Sequence, residues 1–304
     1  MNCLVSIVIP TRNRVRQLRR ALESCVRQSH PEIEVLVVDD GSDSLDYIES
    51  LRRDFPERVY FFSLPENKGG SYARNFGIDK AVGQYVLFLD SDDELDPDAV
   101  AKHLEFRSAH AGLELAITYG RGQRVSIDES GRRKSGEIYP HRGLNQDERV
   151  GEYLFSLEGK IFTPSMLVPR VLLNRLRFNE RLRRHQDYGF VFDAAQREGV
   201  SFCYIDQVVF NWISDYADEG AKGKGINLNV SQVFLSLYLP LMTSRELRLY
   251  LVNIASSVAV AGRDPVGFYR LCSQYYAPPK AVYVTVISFV HAFARRVYVK
   301  LFKR

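Results

Sequence analysis

In roughly the first hundred residues, short apolar runs alternate with amphipathic stretches four times, and few folds accept that rhythm. Leu4 to Ile9 reads as a buried strand closed by Pro10, with Asn13 placed to cap a helix whose apolar residues Leu18, Ala21, Leu22 and Cys25 recur at three and four positions. Ile33 to Val38 is a second strand, Leu45, Ile48 and Leu51 carry a short helix, and Val59 to Phe62 is a third strand. Ala73, Phe76 and Ile78 mark another helix before the strand Tyr85 to Leu89. Such alternation predicts an α/β fold: a doubly wound, mostly parallel sheet with helices on both faces and right-handed crossovers.

In a sheet of that kind every strand ends at the same edge, where ligands bind. Four polar stretches follow the four strands: Pro10-Thr11-Arg12-Asn13, Asp39-Asp40-Gly41-Ser42, Asn67 to Arg74, and Asp90-Ser91-Asp92-Asp93. Carboxylates held as close as those of Asp90, Asp92 and Asp93 repel one another, and a cation relieves the repulsion. Mg²⁺ or Mn²⁺ is the natural partner, with Asp90 and Asp92 sharing the ion with a diphosphate. The competing reading is a solvated acidic turn before a helix, which suits Glu94 and Asp96, since Asp96-Pro97 has the form of a helix cap and first turn. Asp39 or Asp40 can accept from the N–H edge of a base. Lys68 and Arg74 can take phosphate charge, while Gly69 and Gly70 let backbone approach it. Taken singly these are also ordinary turns and solvated side chains; their joint placement carries the inference. No Gly-x-Gly-x-x-Gly follows the first strand, so a dinucleotide is unsupported.

After a helix over Asp98 to Ala111 the rhythm changes. Leu115 to Tyr119 reads as a strand, Gln123 to Ile127 and Gly136 to Tyr139 as a hairpin across Asp128-Glu129-Ser130-Gly131, and Phe162 to Val168 as an edge or irregular strand. Asp187 to Arg197 is helical, and Ser201 to Ile205 and Val208 to Ile213 read as two paired strands. The expected division is a sheet domain over 1–213, a flexible loop over 214–230 and a helical C-terminal region over 231–304, where Thr243 to Glu246 forms a capping box and Asp264-Pro265 and Pro278-Pro279 open helices.

With 304 residues and a formal charge of only +4, the chain is not expected to bind nucleic acid. Cys3, Cys25, Cys203 and Cys272 lack metal or redox spacing and read as core residues of a reducing compartment, so a cytoplasmic protein is expected. Ala281 to Ala294 is too short to span a bilayer, but Arg295, Arg296, Lys300, Lys303 and Arg304 make the tail basic. This C-terminal helix is read as a peripheral contact on the cytoplasmic membrane face, against a packed helix or a dimer contact.

The runs VSIVIPTRNR, VLVVDDGSDS, ENKGGSYARNFGI and YVLFLDSDDELDP resemble the successive signatures of family 2 glycosyltransferases. The resemblance is dense to about residue 100 and looser to about 213. It implies the GT-A fold, a donor-binding half over 1–112 and an acceptor-side half over 113–213. It further implies an inverting, metal-dependent transfer of a hexose from a nucleotide sugar, most often UDP-linked, to an oligosaccharide or lipid-linked acceptor of surface polysaccharide, capsule or lipopolysaccharide. By resemblance, Pro10, Thr11, Arg12, Asn13, Asp39 and Asp40 lie around the nucleotide, with Lys68, Gly69 and Arg74. Asp90-Ser91-Asp92 matches the DxD motif, with Asp92 the foremost metal ligand. Arg184-His185-Gln186-Asp187-Tyr188 resembles the acidic pair of the acceptor-side helix and makes Asp187 the general base, with Gln186 departing from the usual Glu. A plain helix cap is the other reading of Asp187. Trp212 is an acceptor-stacking candidate or packing; Lys222 and Lys224 close over the diphosphate or are solvated. The Gln-x-x-Arg-Trp motif of processive synthases is absent, so one sugar per encounter is expected. The rivals are a nucleotidyltransferase on a similar sheet and a non-catalytic sugar-nucleotide scaffold; a glycosidase would need two carboxylates flanking the sugar.

Overall fold

A computed structural model describes residues 3–55, 57–216 and 227–302 of the chain. These residues form two compact units, Met1–Gln146 with Glu158–Glu219, and Asp147–Leu157 with Gly220–Arg304.

In the first unit the chain runs β1 (Val5–Thr11), α1 (Val15–Val26), β2 (Ile33–Asp39), α2 (Asp46–Asp54), β3 (Val59–Ser63), α3 (Gly70–Lys80) and β4 (Tyr85–Phe88). It continues with β5 (Glu94–Leu95), α4 (Ala99–Ala109), β6 (Ile117–Ile127) and β7 (Arg133–Tyr139). After α5 (Val150–Phe155), which groups with the second unit, come β8 (Met166–Pro169), α6 (Arg170–Leu173), α7 (Gln186–Ala195) and β9 (Phe202–Asp215). The sheet has the order β3-β2-β1-β4-β8-β6-β9-β5, with β7 on β6. β3, β2, β1 and β4 are parallel, as the alternation requires, and β1 and β2 are almost wholly buried. Pro10 lies inside β1 instead of ending it; it pairs with Val38 of β2, beyond Val8, where the register with β4 stops. The missing N–H therefore breaks no ladder with β4.

Several expectations change in the second half of the sheet. Ile117–Ile127 is one strand, and the two strands expected over 201–213 are one parallel partner for it, β9. Its register slips between Tyr119 and Arg121, where Asp206 and Gln207 bulge out to solvent. The segment expected at an edge is β8, central and antiparallel to both β4 and β6. Pro164 lies in the turn before it, and Pro169 closes the ladder at its last position, opposite Tyr85. Strand structure runs on to Asp215, inside the range expected to be loop; residues 217–226, with Lys222 and Lys224, lie outside the described residues. The start of α4 differs too: Asp98 is its cap position, and Asp96 accepts the Asp98 N–H (3.1 Å) and pairs with Lys102 (2.6 Å).

The second unit contains α5, α8 (Asn229–Tyr238), α9 (Ser244–Leu249), a π-helical turn Tyr250–Ala255, α10 (Ser256–Gly262), α11 (Pro265–Ser273) and α12 (Pro278–Phe302). Residues 147–157, expected with the acceptor-side half, group here because Phe155 packs its ring on Phe234 and Tyr250 and its carbonyl accepts from Asn253 (2.8 Å). The predicted capping box forms: Thr243 N–H donates to Glu246 Oε2 (2.7 Å) and Glu246 N–H to Thr243 Oγ1 (3.2 Å). On α12, Ala281, Val284 and Ser288 are buried, whereas Val282, Tyr283, Val286 and Val290 are exposed. No helix among the described residues is long and apolar enough to cross a membrane.

Candidate active site

The carboxyl ends of β1, β2 and β4 and the start of α3 are joined by buried acids. Asp40 N–H donates to the Thr11 carbonyl (2.8 Å), which locks the first two strand ends together. The Asp40 carboxylate accepts from the N–H groups of Lys68 (2.7 Å) and Gly69 (2.8 Å) and from Asn67 Nδ2 (3.1 Å), fixing the chain that leads into α3. Asp39 turns the other way and accepts from Ser42 N–H (3.1 Å), the Ser42 hydroxyl and Tyr47 OH (3.0 Å). Both acids that the sequence offers to a base edge are thus already hydrogen-bonded within the protein.

Arg12 Nε donates to the Gly41 carbonyl (3.2 Å). Asn13 does not cap α1; its backbone is left-handed (φ +53°), and its amide exchanges hydrogen bonds with Asp43 (2.9 and 3.0 Å). Gly41 is required by its φ of +66° and by space, since a Cβ there would lie 2.5 Å from the Glu66 carbonyl carbon. Lys68 pairs with Glu66 (3.5 Å) and lies over the Tyr72 ring.

Beyond β4 the chain turns tightly, with Asp93 N–H donating to the Asp90 carbonyl (3.0 Å) and Ser91 buried. The three acids of the turn then part. Asp93 points inward and accepts from the Ile213 N–H (3.0 Å); burial, then the nearby Asp92 and Asp90, push its carboxyl well above the usual range. It is therefore not an open ligand, contrary to its reading as a third metal-site acid. Asp92 is partly exposed and pairs with Arg14 Nη1 (2.7 Å). Asp90 pairs with Arg74. Two outward carboxylates suit an ion that takes one or two protein ligands and fills its shell with water and phosphate oxygens. No group of three or more His, Cys, Asp or Glu able to hold a metal exists among the described residues.

Arg74 joins this turn to the helix that carries the expected base. Its guanidinium is buried over Phe178, binds Asp90 on one side and donates to Gln186 Oε1 (2.6 Å) on the other. Gln186, the departure from the usual acid, thus meets Arg74 with its amide oxygen, and its Nε2 donates to the Leu182 carbonyl (2.9 Å). Asp187 is the next residue. It stands in the first turn of α7, not at the cap position, which His185 holds in left-handed geometry (φ +59°). Burial raises the Asp187 carboxyl above its ordinary value; Asp90 adds to the rise, while the Tyr188 N–H (2.9 Å), Lys160 and Arg74 oppose it. Asp187 thereby shares one electrostatic neighbourhood with both Arg74 and Asp90.

Trp212 lies within β9, half exposed, with its ring 6.2 Å from that of Phe162. A cavity of about 620 Å³ is lined by Arg16, Arg20, Arg133, Asp128, Asp215 and Tyr216 among others, and none of the expected site residues lines it. Two residues of the neighbourhood had no individual reading. Arg14 sits inside the first quoted run without a pattern of its own, and Lys160, whose Nζ donates to Tyr188 OH (3.0 Å), has no periodicity or motif to mark it.

The chain is similar in sequence and in fold to known proteins. A sequence profile described as Glycosyl transferase family 2 matches residues 6–160. The amylovoran biosynthesis glycosyltransferase AmsB of Erwinia amylovora is 30% identical over 252 residues, 81% of each chain. A GalNAc(5)-diNAcBac-PP-undecaprenol beta-1,3-glucosyltransferase of Campylobacter jejuni is 29% identical over 181 residues, 58% of this chain and 55% of that one. Among solved structures, S. aureus TarS 1-349 in complex with UDP-GlcNAc superposes with a TM-score of 0.62 at 18% identity, covering 88% of this chain and 75% of that one. The mannosyltransferase PcManGT from Pyrobaculum calidifontis, in complex with GDP-Man and Mn²⁺, gives 0.58 at 15% identity, covering 99% and 88%. The parallel β3-β2-β1-β4 sheet with its acidic strand ends is the GT-A architecture, and with the profile match over half its length the chain belongs to glycosyl transferase family 2.

Proposed function

We propose that this glycosyltransferase moves one hexose, with inversion, from a UDP-linked donor to a hydroxyl of a polysaccharide or lipid-linked oligosaccharide acceptor, using Mn²⁺ or Mg²⁺. The observation that carries the reading is the bridge made by Arg74, which ties Asp90 of the DxD turn to the residue beside Asp187. One side chain thus links the groups suited to a leaving diphosphate to the group suited to an attacking hydroxyl.

Asp187 takes the proton of the acceptor hydroxyl as its oxygen attacks C1 from the face opposite the diphosphate, which inverts the anomeric centre. Its raised pKa strengthens it as a base. The Tyr188 N–H, Lys160 and Arg74 oppose that rise. Arg74 and Arg14 supply positive charge beside the diphosphate, and the N–H groups at the start of α3 face the phosphates. Asp92 and Asp90 would hold the divalent ion, which when bound offsets the charge growing on the leaving group. The nucleotide lies against Pro10 to Asn13 and Asp40, with Lys68 and Gly69 beneath it, and the exposed Trp212 ring stacks on the acceptor sugar.

The donor class is supported by the UDP-GlcNAc and GDP-Man complexes of the two structural neighbours, and the acceptor class by the names of the Erwinia and Campylobacter relatives. Work at the cytoplasmic membrane face, as a peripheral protein, suits the exposed apolar residues of α12 and the basic residues that follow them in sequence. A thermal-shift panel of nucleotide sugars with and without Mn²⁺ tests the reading. A UDP-sugar should raise Tm only when Mn²⁺ is present. A protein whose Tm ignores every nucleotide sugar in either condition is not such an enzyme.

A further inference from the structure

Two arginines hold the two outward acids of the DxD turn, and they do so in opposite ways. Arg74 is fixed: its side chain is 8% exposed, lies over Phe178 and bonds to both Asp90 and Gln186. Arg14 is free to leave. Its side chain is 43% exposed and that of Asp92 36%, and their 2.7 Å contact is the only side-chain hydrogen bond or ion pair that either makes among the described residues. Arg14 occupies the cap position of α1 without any side-chain cap bond, so the helix does not depend on its guanidinium. An arginine that bonds to a carboxylate is equally suited to a phosphate.

We propose that Arg14 is a positioning residue that changes partners as the site loads: it competes with the divalent ion for Asp92 and, once displaced, clamps the diphosphate of the donor. The inference rests on the metal-dependent reading above and adds an ordered exchange to it. An ion on Asp92 cancels the charge that held Arg14 and places a like charge beside it, so the guanidinium turns to the nearest anion. Arg14 thus weakens metal binding by itself and strengthens nucleotide binding once metal is present.

That opposition of sign is the test. Mn²⁺ alone is titrated into the full chain by calorimetry and by the EPR signal of free Mn²⁺, and UDP and GDP are then titrated at saturating Mn²⁺. Arg14→Ala should bind Mn²⁺ alone about three- to tenfold more tightly, from the loss of a partly exposed ion pair and of a like charge. The same variant should bind the nucleoside diphosphate about tenfold more weakly with Mn²⁺ present, from the loss of a charge-assisted contact. Arg14→Lys should keep metal binding near the parent and recover part of the nucleotide affinity. Arg19→Ala removes the same charge from α1, where it pairs with Asp54 (2.5 Å), and should change neither titration. A parent that binds neither Mn²⁺ nor nucleotide removes the metal-dependent reading and this inference together. A parent that binds both, with Arg14→Ala unchanged or shifted in the same direction in both titrations, overturns the exchange alone.

Discussion

The β1–β4 edge and the start of α7 contribute to one candidate site by different physical means. At the β1–β4 edge, buried acids bond to backbone N–H groups of other segments, as Asp40 does with Lys68 and Gly69 before α3 and Asp93 with Ile213 of β9. Removing one of those acids leaves donors unpaired in the interior, so the edge is part of the fold's stability. At α7, the bond Asp187 makes among the described residues is to the adjacent Tyr188 N–H, and it is burial and charge that tune it. The edge is thus built to hold shape, whereas the proposed base on α7 is buried with a raised pKa, at a cost in stability when it is ionised.

The sharpest way to break that contrast is Asp187→Asn. It should lower kcat by roughly 10²- to 10⁴-fold, the usual contribution of a positioned base, with donor affinity near the parent's. The stability effect should have the opposite sign. A carboxyl whose folded-state pKa is raised favours folding while protonated, below its unfolded value, and that contribution is lost as pH rises through the raised value. The Asn variant lacks this loss and keeps an oxygen for the Tyr188 N–H, so its Tm should exceed the parent's by an amount that grows as pH rises through the raised value and then levels off. In the parent, kcat/KM should fall as pH drops through the same raised pKa. An Asn variant that transfers sugar at the parent's rate would end the distinction between the two regions.

Arg74→Lys tests the bridge between them. It keeps the charge but not the fork that reaches Asp90 and Gln186 together, and should cost roughly 10- to 100-fold in kcat/KM, the worth of a hydrogen bond to a charged group. Smaller again, and read by chemical denaturation, are two glycines of the edge. Gly41→Ala puts a methyl against the Glu66 backbone at positive φ and should destabilise by more than about 2 kcal/mol. Gly69→Ala, in an extended region at φ +98° and ψ 159° that only glycine adopts readily, meets only the movable end of Arg183 and should cost about 1–3 kcal/mol. Equal losses would mean that the edge tolerates backbone shifts. The smallest effect is expected for Gln186→Glu, which gives Arg74 a second acid and should move donor affinity by less than about threefold.

The β1–β4 edge was legible because its four strands alternate with the helices α1, α2 and α3 along the chain and all run parallel. Hydrophobic period and turn residues therefore name both the elements and the edge at which Thr11, Asp40 and Asp90 emerge. The second half of the sheet was not. β8 between β4 and β6, β5 on β9 and the bulged pairing of β9 with β6 join segments tens of residues or more apart, and nothing local encodes such partners. The same limit separates the acids of one turn: in the sequence Asp90, Asp92 and Asp93 are equivalent. The side chains of Arg74 and Arg14 and the backbone of Ile213 sort them into a bridged acid, an exchangeable one and a buried one.

By itself, then, the order of residues determined the parallel sheet, the edge on which its polar loops gather and the family to which the chain belongs, because period, turn chemistry and motif order are local properties. Tertiary structure alone decided which carboxylates face outward, where Arg74 spans from the DxD turn to α7 and why Asp187 is raised. Those depend on burial and on charges that meet only when residues about a hundred positions apart are packed together.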